Sequence, residues 1–259
     1  MPLLSLNHYW RIAAAGLSYV VFGVGASLPG LYILFLALVP MEQSVKQRKV
    51  RNAISCLCRF YVNFMQFLGL FSFTVTRARD QDIEGHLVIS NHAMLIDALF
   101  ILAYVDNLCC VVKSDLCRNP FTRIPVRLAG YIPNNHDELI DIAKRKLEAG
   151  ENILIFPEGT RNKSDFQLEF KRGVANIAVA SNAPILPIVV TCTPRVLGKG
   201  EKWYQLPSVK SRISIRFDPS LRALDCIDAT LPRTLQYRYL TRWLRDYYFR
   251  ELSLLLDQK

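Results

Sequence analysis

A histidine and an aspartate five residues apart, His92 and Asp97, stand where the apolar run Leu87 to Ser90 gives way to polar sequence. An imidazole is the side chain best suited to take a proton near neutral pH. A carboxylate on its other ring nitrogen would fix the tautomer and stabilise the imidazolium as it forms. If Leu87 to Ser90 is a strand and Leu95 onward a helix, the intervening turn lets Asp97 fold back towards His92. Taken alone, the same spacing also describes a loop histidine followed by an aspartate near a helix start.

A second stretch adds to the first. Asn152 to Phe156 reads as a buried strand of apolar and β-branched residues, and it runs directly into Pro157-Glu158-Gly159-Thr160-Arg161. A strand that stops at Pro and Gly and presents Glu, Thr and Arg together reads as a binding loop at a sheet edge. The plainer interpretation is a tight turn with solvated charges.

Together, Asn91-His92-x4-Asp97 and Phe156-Pro157-Glu158-Gly159-Thr160-Arg161 resemble the motifs of the glycerolipid and lysophospholipid acyltransferases, the family of the bacterial 1-acylglycerol-3-phosphate O-acyltransferases. The resemblance covers Leu87 to Val190. It implies direct acyl transfer, with His92 taking the proton of an acceptor hydroxyl, Asp97 orienting His92, and the hydroxyl attacking the thioester of acyl-CoA or an acyl-carrier protein. The residues agree, since there is no Gly-x-Ser-x-Gly elbow and no motif-borne cysteine to act as a covalent nucleophile. Glu158, Gly159, Thr160 and Arg161 would hold the acceptor, expected to be a lysophospholipid and above all 1-acylglycerol-3-phosphate. A guanidinium grips phosphate at two points and a glycine lets the backbone approach. Lys171 is a second candidate cation, equally readable as a solvated lysine at a helix start. Ala183 to Ile188 resembles the last motif of the family. No metal or bound cofactor is implied, the acyl donor being a co-substrate.

The chain departs from the family at one place. Members commonly carry an aromatic-rich motif ending in an arginine that helps bind the acceptor phosphate. Here the corresponding stretch is Gly130-Tyr131-Ile132-Pro133-Asn134-Asn135, with no Lys or Arg from Leu128 to Ala143. Arg123 and Arg127 are the candidate replacements. The departure keeps open a different lysolipid, or a specialised hydroxylated lipid or polyene precursor, as acceptor. A reading from another class is a membrane-associated lipid-binding protein without turnover.

The elements that must position these groups leave their own marks. Half of the 259 residues (51%) are hydrophobic, yet the formal charge is +10. The basic excess lies in residues 41–60 (+4) and 195–259 (+6), while residues 61–194 are near neutral at −1. Basic flanks beside apolar sequence suit an anionic lipid surface. Nucleic acid is discounted because no recognised nucleic-acid module is present. The seven cysteines and four histidines fit no zinc or disulfide spacing, so reduced thiols in a cytosol-facing domain are expected.

Ile12 to Val39 contains no formal charge over 28 residues, enough for a helix to cross a bilayer. Pro29-Gly30 interrupts it, which leaves one kinked spanning helix or two shorter segments that dip in and return. A cleaved signal peptide is the third reading. Lys46, Arg48, Lys49 and Arg51 follow, which places that side in the cytoplasm by the positive-inside rule. The protein is therefore expected at a membrane, the inner one if bacterial, with its catalytic part on the cytoplasmic face. Val45 to Leu68 has the period of an amphipathic helix. Ile54, Leu57, Tyr61, Phe64 and Leu68 lie on its apolar face, with Arg48, Arg51, Ser55, Arg59 and Gln66 opposite. Such a helix suits the membrane interface or a docked position on the domain, and the family resemblance favours the interface.

Beyond Gly69 strands alternate with helices. Strands are expected at Phe71–Thr76, His86–Ser90, Leu108–Val112, Asn152–Phe156, Ile185–Thr191 and Ile213–Phe217. Helices are expected at Leu95–Tyr104, Asp137–Ala149, Val174–Ser181 and Thr234–Leu255, with a turn at Asp80–Gly85. This predicts an α/β fold with a mostly parallel central sheet flanked by helices and an N-terminal membrane-anchoring helical pair. The expected division is 1–68 for the hydrophobic anchor and basic amphipathic helix, and 69–259 for the catalytic domain. Pro187 points to an edge or bulged strand at Ile185–Thr191.

Overall fold

The computed structural model of the chain describes residues 6–25, 27–77, 83–120, 122–161, 168–198 and 200–257. Residues 80–82 of the expected Asp80–Gly85 turn lie outside the described residues. Seven strands form one sheet: β1 (Phe71–Arg77), β2 (Leu87–Ser90), β3 (Leu108–Val112), β4 (Ile132–Pro133), β5 (Asn152–Ile155), β6 (Ile185–Thr193) and β7 (Ser211–Phe217). Their order is β1-β7-β6-β2-β5-β3-β4. All pairings are parallel except that of β6 with β7, so the sheet is mostly parallel as expected.

Every residue of β2 and β5 is buried, because a parallel strand in mid-sheet is covered on both faces. Val88 and Leu154 face the cluster beneath α3 (Gln43–Phe67) and α4 (Asp97–Tyr104). Leu87, Ile89 and Ile153 face the opposite cluster, formed with α7 (Leu139–Glu148), α8 (Gly173–Ser181) and α9 (Arg233–Asp257). In α9 the buried Leu240, Leu244, Tyr248 and Leu252 recur every fourth residue and form one apolar stripe. Each buried leucine contributes roughly 1.5–3 kcal/mol.

The expected edge position for Ile185–Thr191 is not what the fold adopts, because β6 lies inside the sheet between β7 and β2. Its proline is tolerated for a local reason. The Pro187 carbonyl accepts from the Asp218 N–H at 3.0 Å, so the Pro187 backbone faces β7. The β6–β7 ladder stops at Ile188 opposite Phe217 and antiparallel pairing resumes, one residue out of step, at Ile185 opposite Leu221, so the missing N–H falls at a bulge, the other position that the proline pointed to. Two short helices, α5 (Ser114–Arg118) and α6 (Arg123–Leu128), and the two-residue β4 occupy a stretch with no clear sequence period.

The N-terminal apolar run forms α1 (Leu6–Gly25) and α2 (Ser27–Leu38). Their contacts follow α3 in the opposite direction. Trp10 Nε1 donates to the Leu68 carbonyl, Phe22 packs on Tyr61 at 4.7 Å, Ile33 and Leu36 share a cluster with Val50, and Lys46 donates to the Ala37 carbonyl. Leu6–Leu38 is long and apolar enough to cross a membrane, and only 13% of its most apolar window is buried. Its apolar side chains thus point outwards while its inner edge rests on α3.

Arg51 is a correction to the amphipathic pattern of this helix. Its period puts it on the polar face, but it is 3% exposed. Its guanidinium donates to Ala129 O, Asn107 Oδ1, Gln47 Oε1 and Glu151 Oε2, the last at 2.9 Å. A buried guanidinium is stable only when so many acceptors surround it. Here they come from four separate parts of the chain.

Candidate active site

The backbone leaves the sheet after Ser90, and the side chain of Asn91 continues the pairing in its place. Asn91 Nδ2 donates to Val190 O and Val190 N–H donates to Asn91 Oδ1, both at 2.8 Å. On the other side Tyr248 of α9 donates its hydroxyl to the Ile89 carbonyl at 2.6 Å. The end of β2 is held, and the chain turns at residues 91–96.

His92 sits in this turn. Its Nδ1 lies 3.1 Å from Asp97 Oδ2, and Oδ2 also accepts the Met94 N–H at 2.9 Å. Asp97 is the first residue of α4 and has no solvent exposure, whereas the His92 side chain is 19% exposed. With Nδ1 committed to the carboxylate, Nε2 is the nitrogen left for an incoming group. Burial pushes the Asp97 carboxyl above its ordinary value of 3.8, opposed by its hydrogen bonds to His92 and to backbone N–H groups and by the His92 charge. The imidazole also stacks on Phe156, with ring centres 4.4 Å apart and planes at 25°.

β5 runs beside β2, so its trailing loop lands on this turn. The Glu158 carboxylate is 4% exposed and accepts the backbone N–H of His92, at 3.3 and 3.4 Å to its two oxygens. It faces the protein backbone and braces the turn. Gly159 has φ +67°, a backbone conformation that favours glycine, and Lys171 Nζ lies 3.0 Å from where a Cβ would stand. Lys171 donates its backbone N–H to Pro157 O at 2.8 Å, which lays its side chain against Gly159. Thr160 lies half-buried in the same loop. Arg161 Nη1 donates to the carbonyls of Leu197 and Gly198, both at 2.9 Å.

The structure therefore places His92, Asp97 and Glu158 in direct contact and Gly159 against Lys171. Arg161 joins them through the loop after β6. Leu95 N–H donates to the same Leu197 carbonyl at 3.2 Å, and Arg195 donates to Ala93 O at 2.9 Å. Arg195, Leu197 and the stacking of Phe156 went unmarked in the sequence, which shows no period or motif at 194–198. Arg123 and Arg127, the candidate replacements for the missing motif arginine, are exposed on α6, a helix packed on α2, α3 and α5.

No group of three or more metal-ligating side chains occurs among the described residues. Burial pushes the Cys58 thiol up to about 12 and the Cys109 thiol to about 11, and it raises Cys110 further. These sulfurs stay protonated at neutral pH and are poor nucleophiles.

The acyltransferase family model matches residues 73–191, a segment that contains the His92 turn, the β5 loop and β6. Over that segment the chain is similar to the acyltransferase family. Among its relatives, 1-acyl-sn-glycerol-3-phosphate acyltransferase alpha of Mus musculus is 27% identical over 68% of this chain and 65% of its own. The 1-acyl-sn-glycerol-3-phosphate acyltransferase of Helicobacter pylori is 29% identical over 62% of this chain and 67% of its own. The chain thus spans about two thirds of the length of these relatives. The crystal structure of the 1-acyl-sn-glycerophosphate acyltransferase of Thermotoga maritima superposes with a TM-score of 0.73 at 19% identity, covering 96% of this chain and 98% of that one. At that identity the likeness is one of fold, and it extends over the N-terminal helices as well as the acyltransferase domain.

Proposed function

We propose that the protein is a membrane-bound O-acyltransferase that moves a fatty acyl chain from acyl-CoA or acyl-carrier protein to the hydroxyl of a lysophospholipid, most directly 1-acylglycerol-3-phosphate. The observation that carries this reading is the 3.1 Å contact of His92 Nδ1 with the buried Asp97 carboxylate, beside a loop bearing Arg161 and Lys171. His92 Nε2 takes the hydroxyl proton as the oxygen attacks the thioester carbon. Asp97 holds the ring and stabilises the imidazolium. As the tetrahedral intermediate collapses, the C–S bond breaks and the imidazolium proton passes to the departing sulfur. Ester and thiol are the products. Support for the acceptor class comes from the names carried by the mouse and Helicobacter relatives.

The outward apolar side chains of α1 and α2, with Phe60 and Phe67 of α3, support a seat in a lipid surface, and Lys46, Arg48 and Lys49 at the start of α3 favour its cytoplasmic side. The direct test is transfer from palmitoyl-CoA to lysophosphatidic acid in detergent micelles. Purified protein should turn over and His92→Ala should not, and equal rates in both would end the proposal.

The absence of Lys and Arg from residues 128–143 favours a second reading, the same chemistry on an acceptor without a terminal phosphate. Rates on lysophosphatidic acid and lysophosphatidylethanolamine, measured side by side, separate the two. A preference of tenfold or more for the amino lipid would select the second.

A further inference from the structure

Away from the His92 turn, α9 and the stretch leading into α8 border an open hollow of about 330 Å³ lined by Arg172, Arg238, Arg242 and Arg245, together with Glu169 and Phe170. We propose that this surface docks an acidic acyl-carrier protein, so that the acyl thioester reaches His92 from the α8–α9 side. The inference rests on the acyl-transfer reading above and names the donor for it.

The charge balance is the first argument. Arg51 and Arg216 are each paired with carboxylates inside the fold. Among the described residues, by contrast, the guanidinium groups of Arg172, Arg238 and Arg242 make no hydrogen bond or ion pair within the chain, while Arg245 pairs with its neighbour Asp246. Four exposed guanidinium groups around a hollow with one carboxylate repel one another, and an anionic partner relieves that repulsion.

The shape is the second. Arg238, Arg242 and Arg245 lie at i, i+4 and i+7 on one helix face and span about 10 Å. Arg172 extends the row from the start of α8. A row of that length matches acidic side chains at helical spacing on a protein better than the clustered phosphates of a single nucleotide. Carboxylates also accept the forked donors of arginine.

Position supplies the third argument. α8 and α9 cover the sheet face opposite to α3 and α4, so the hollow is turned away from the apolar surface of α1–α3. This disfavours a lipid headgroup as the occupant. Yet a succession of contacts ties the rim of the hollow to the reacting groups. Arg172 follows Lys171, Lys171 rests on Gly159, and the same loop begins at Phe156, which stacks on His92.

The test uses the full chain in detergent and a bacterial acyl-carrier protein loaded with palmitoyl-phosphopantetheine. Binding is read by fluorescence anisotropy at rising salt, and transfer by steady-state kinetics with this donor and with palmitoyl-CoA. The double variant Arg238→Glu/Arg242→Glu should weaken carrier binding at least tenfold and flatten its salt dependence, with a matching rise in KM for that donor. Arg238→Lys/Arg242→Lys should stay within about threefold of the parent, which reports that charge rather than folding is being read. Equal carrier affinity in the parent and the charge-reversed protein overturns the proposal, as does no measurable carrier binding. An equal rise in KM for palmitoyl-CoA overturns it in favour of a nucleotide site. Carrier binding in His92→Ala should be unchanged. Salt-sensitive binding without transfer from either donor would sink the reaction and leave the docking surface standing.

Discussion

At the scale of single residues the decisive pair is an imidazole and a carboxylate that share one hydrogen bond and differ in solvation. His92→Ala removes the proton acceptor from a partly exposed ring, so kcat/KM should fall by about 10²–10⁴ with the melting temperature nearly unchanged. Asp97→Asn separates stability from activity more sharply. Because burial raises the carboxyl pKa, the folded state holds this proton more tightly than the unfolded chain does. Its contribution therefore costs stability as pH rises from the unfolded value towards the folded one. The amide carries no charge to bury, so relative to the parent the variant should gain stability as pH rises above about 4, the ordinary carboxyl value, read as melting temperature against pH. Activity should nevertheless fall about 10³–10⁴-fold, because the amide stabilises the wrong tautomer and no imidazolium. A parent whose stability relative to the variant rises over that pH range would refute the desolvation argument. The cysteines give a further check. Iodoacetamide at neutral pH should label exposed Cys56, spare Cys58, Cys109 and Cys110, and leave transfer intact. Labelling of the buried three by mass spectrometry, or inactivation, would contradict it.

Between residue and fold lie the elements, and here legibility in the sequence was uneven. The order of strands and helices could be read because β2, β5 and α7 carry strong periods and clear stops at Gly150 and Pro157. The His92–Asp97 contact was legible because a strand end followed by a short turn leaves the carboxylate few directions. Glu158 was marked as a residue of interest, but the backbone N–H it meets belongs to a residue 66 positions away, and no local pattern encodes that. Pro187 was legible in part: it marks the break in register between Ile188 opposite Phe217 and Ile185 opposite Leu221, whereas the interior place of β6 depends on neighbours that no local pattern encodes. Arg51 is the largest case. A helix wheel puts it on the wet face, whereas tertiary contacts bury it against Glu151, which also pairs with Lys146 at 2.9 Å. Removing it leaves Glu151 to Lys146 alone and takes their guanidinium donors from the Ala129 carbonyl and Asn107 Oδ1. Arg51→Ala should cost about 2–3 kcal/mol in urea unfolding at neutral pH, because buried acceptors lose their donors. Arg51→Lys should recover only part of this, because one ammonium cannot reach acceptors arranged around a planar fork. A loss below about 1 kcal/mol for Arg51→Ala would mean that α3 does not depend on this hub.

On the scale of the whole molecule the question is what α1 and α2 add to a domain whose sheet and site lie beyond them. They meet α3 along its length, yet most of their large side chains face outwards, with Trp10, Val20, Val24, Leu31, Phe35 and Leu38 all exposed. Fewer than two such signals rarely hold a protein on a bilayer, and this chain has two, an apolar surface and the basic start of α3 at Lys46, Arg48 and Lys49. Deleting residues 1–38 removes the first and keeps the second. The shortened protein should retain α3, the sheet and its cooperative unfolding, because Cys58, Val62 and Met65 stay packed on the domain. On vesicles with anionic lipid it should still sediment at low salt, since three cations at about 1 kcal/mol each suffice for weak adsorption, and it should come off at about 0.5 M salt, where the screening length falls below about 5 Å. The full chain should stay bound under both conditions. Transfer to an acceptor embedded in the vesicle should drop at least tenfold on shortening, while transfer to a micellar acceptor stays within about threefold. Complete sedimentation of the shortened protein at high salt would assign membrane binding to the α3–sheet body instead and leave α1 and α2 as a cover for α3.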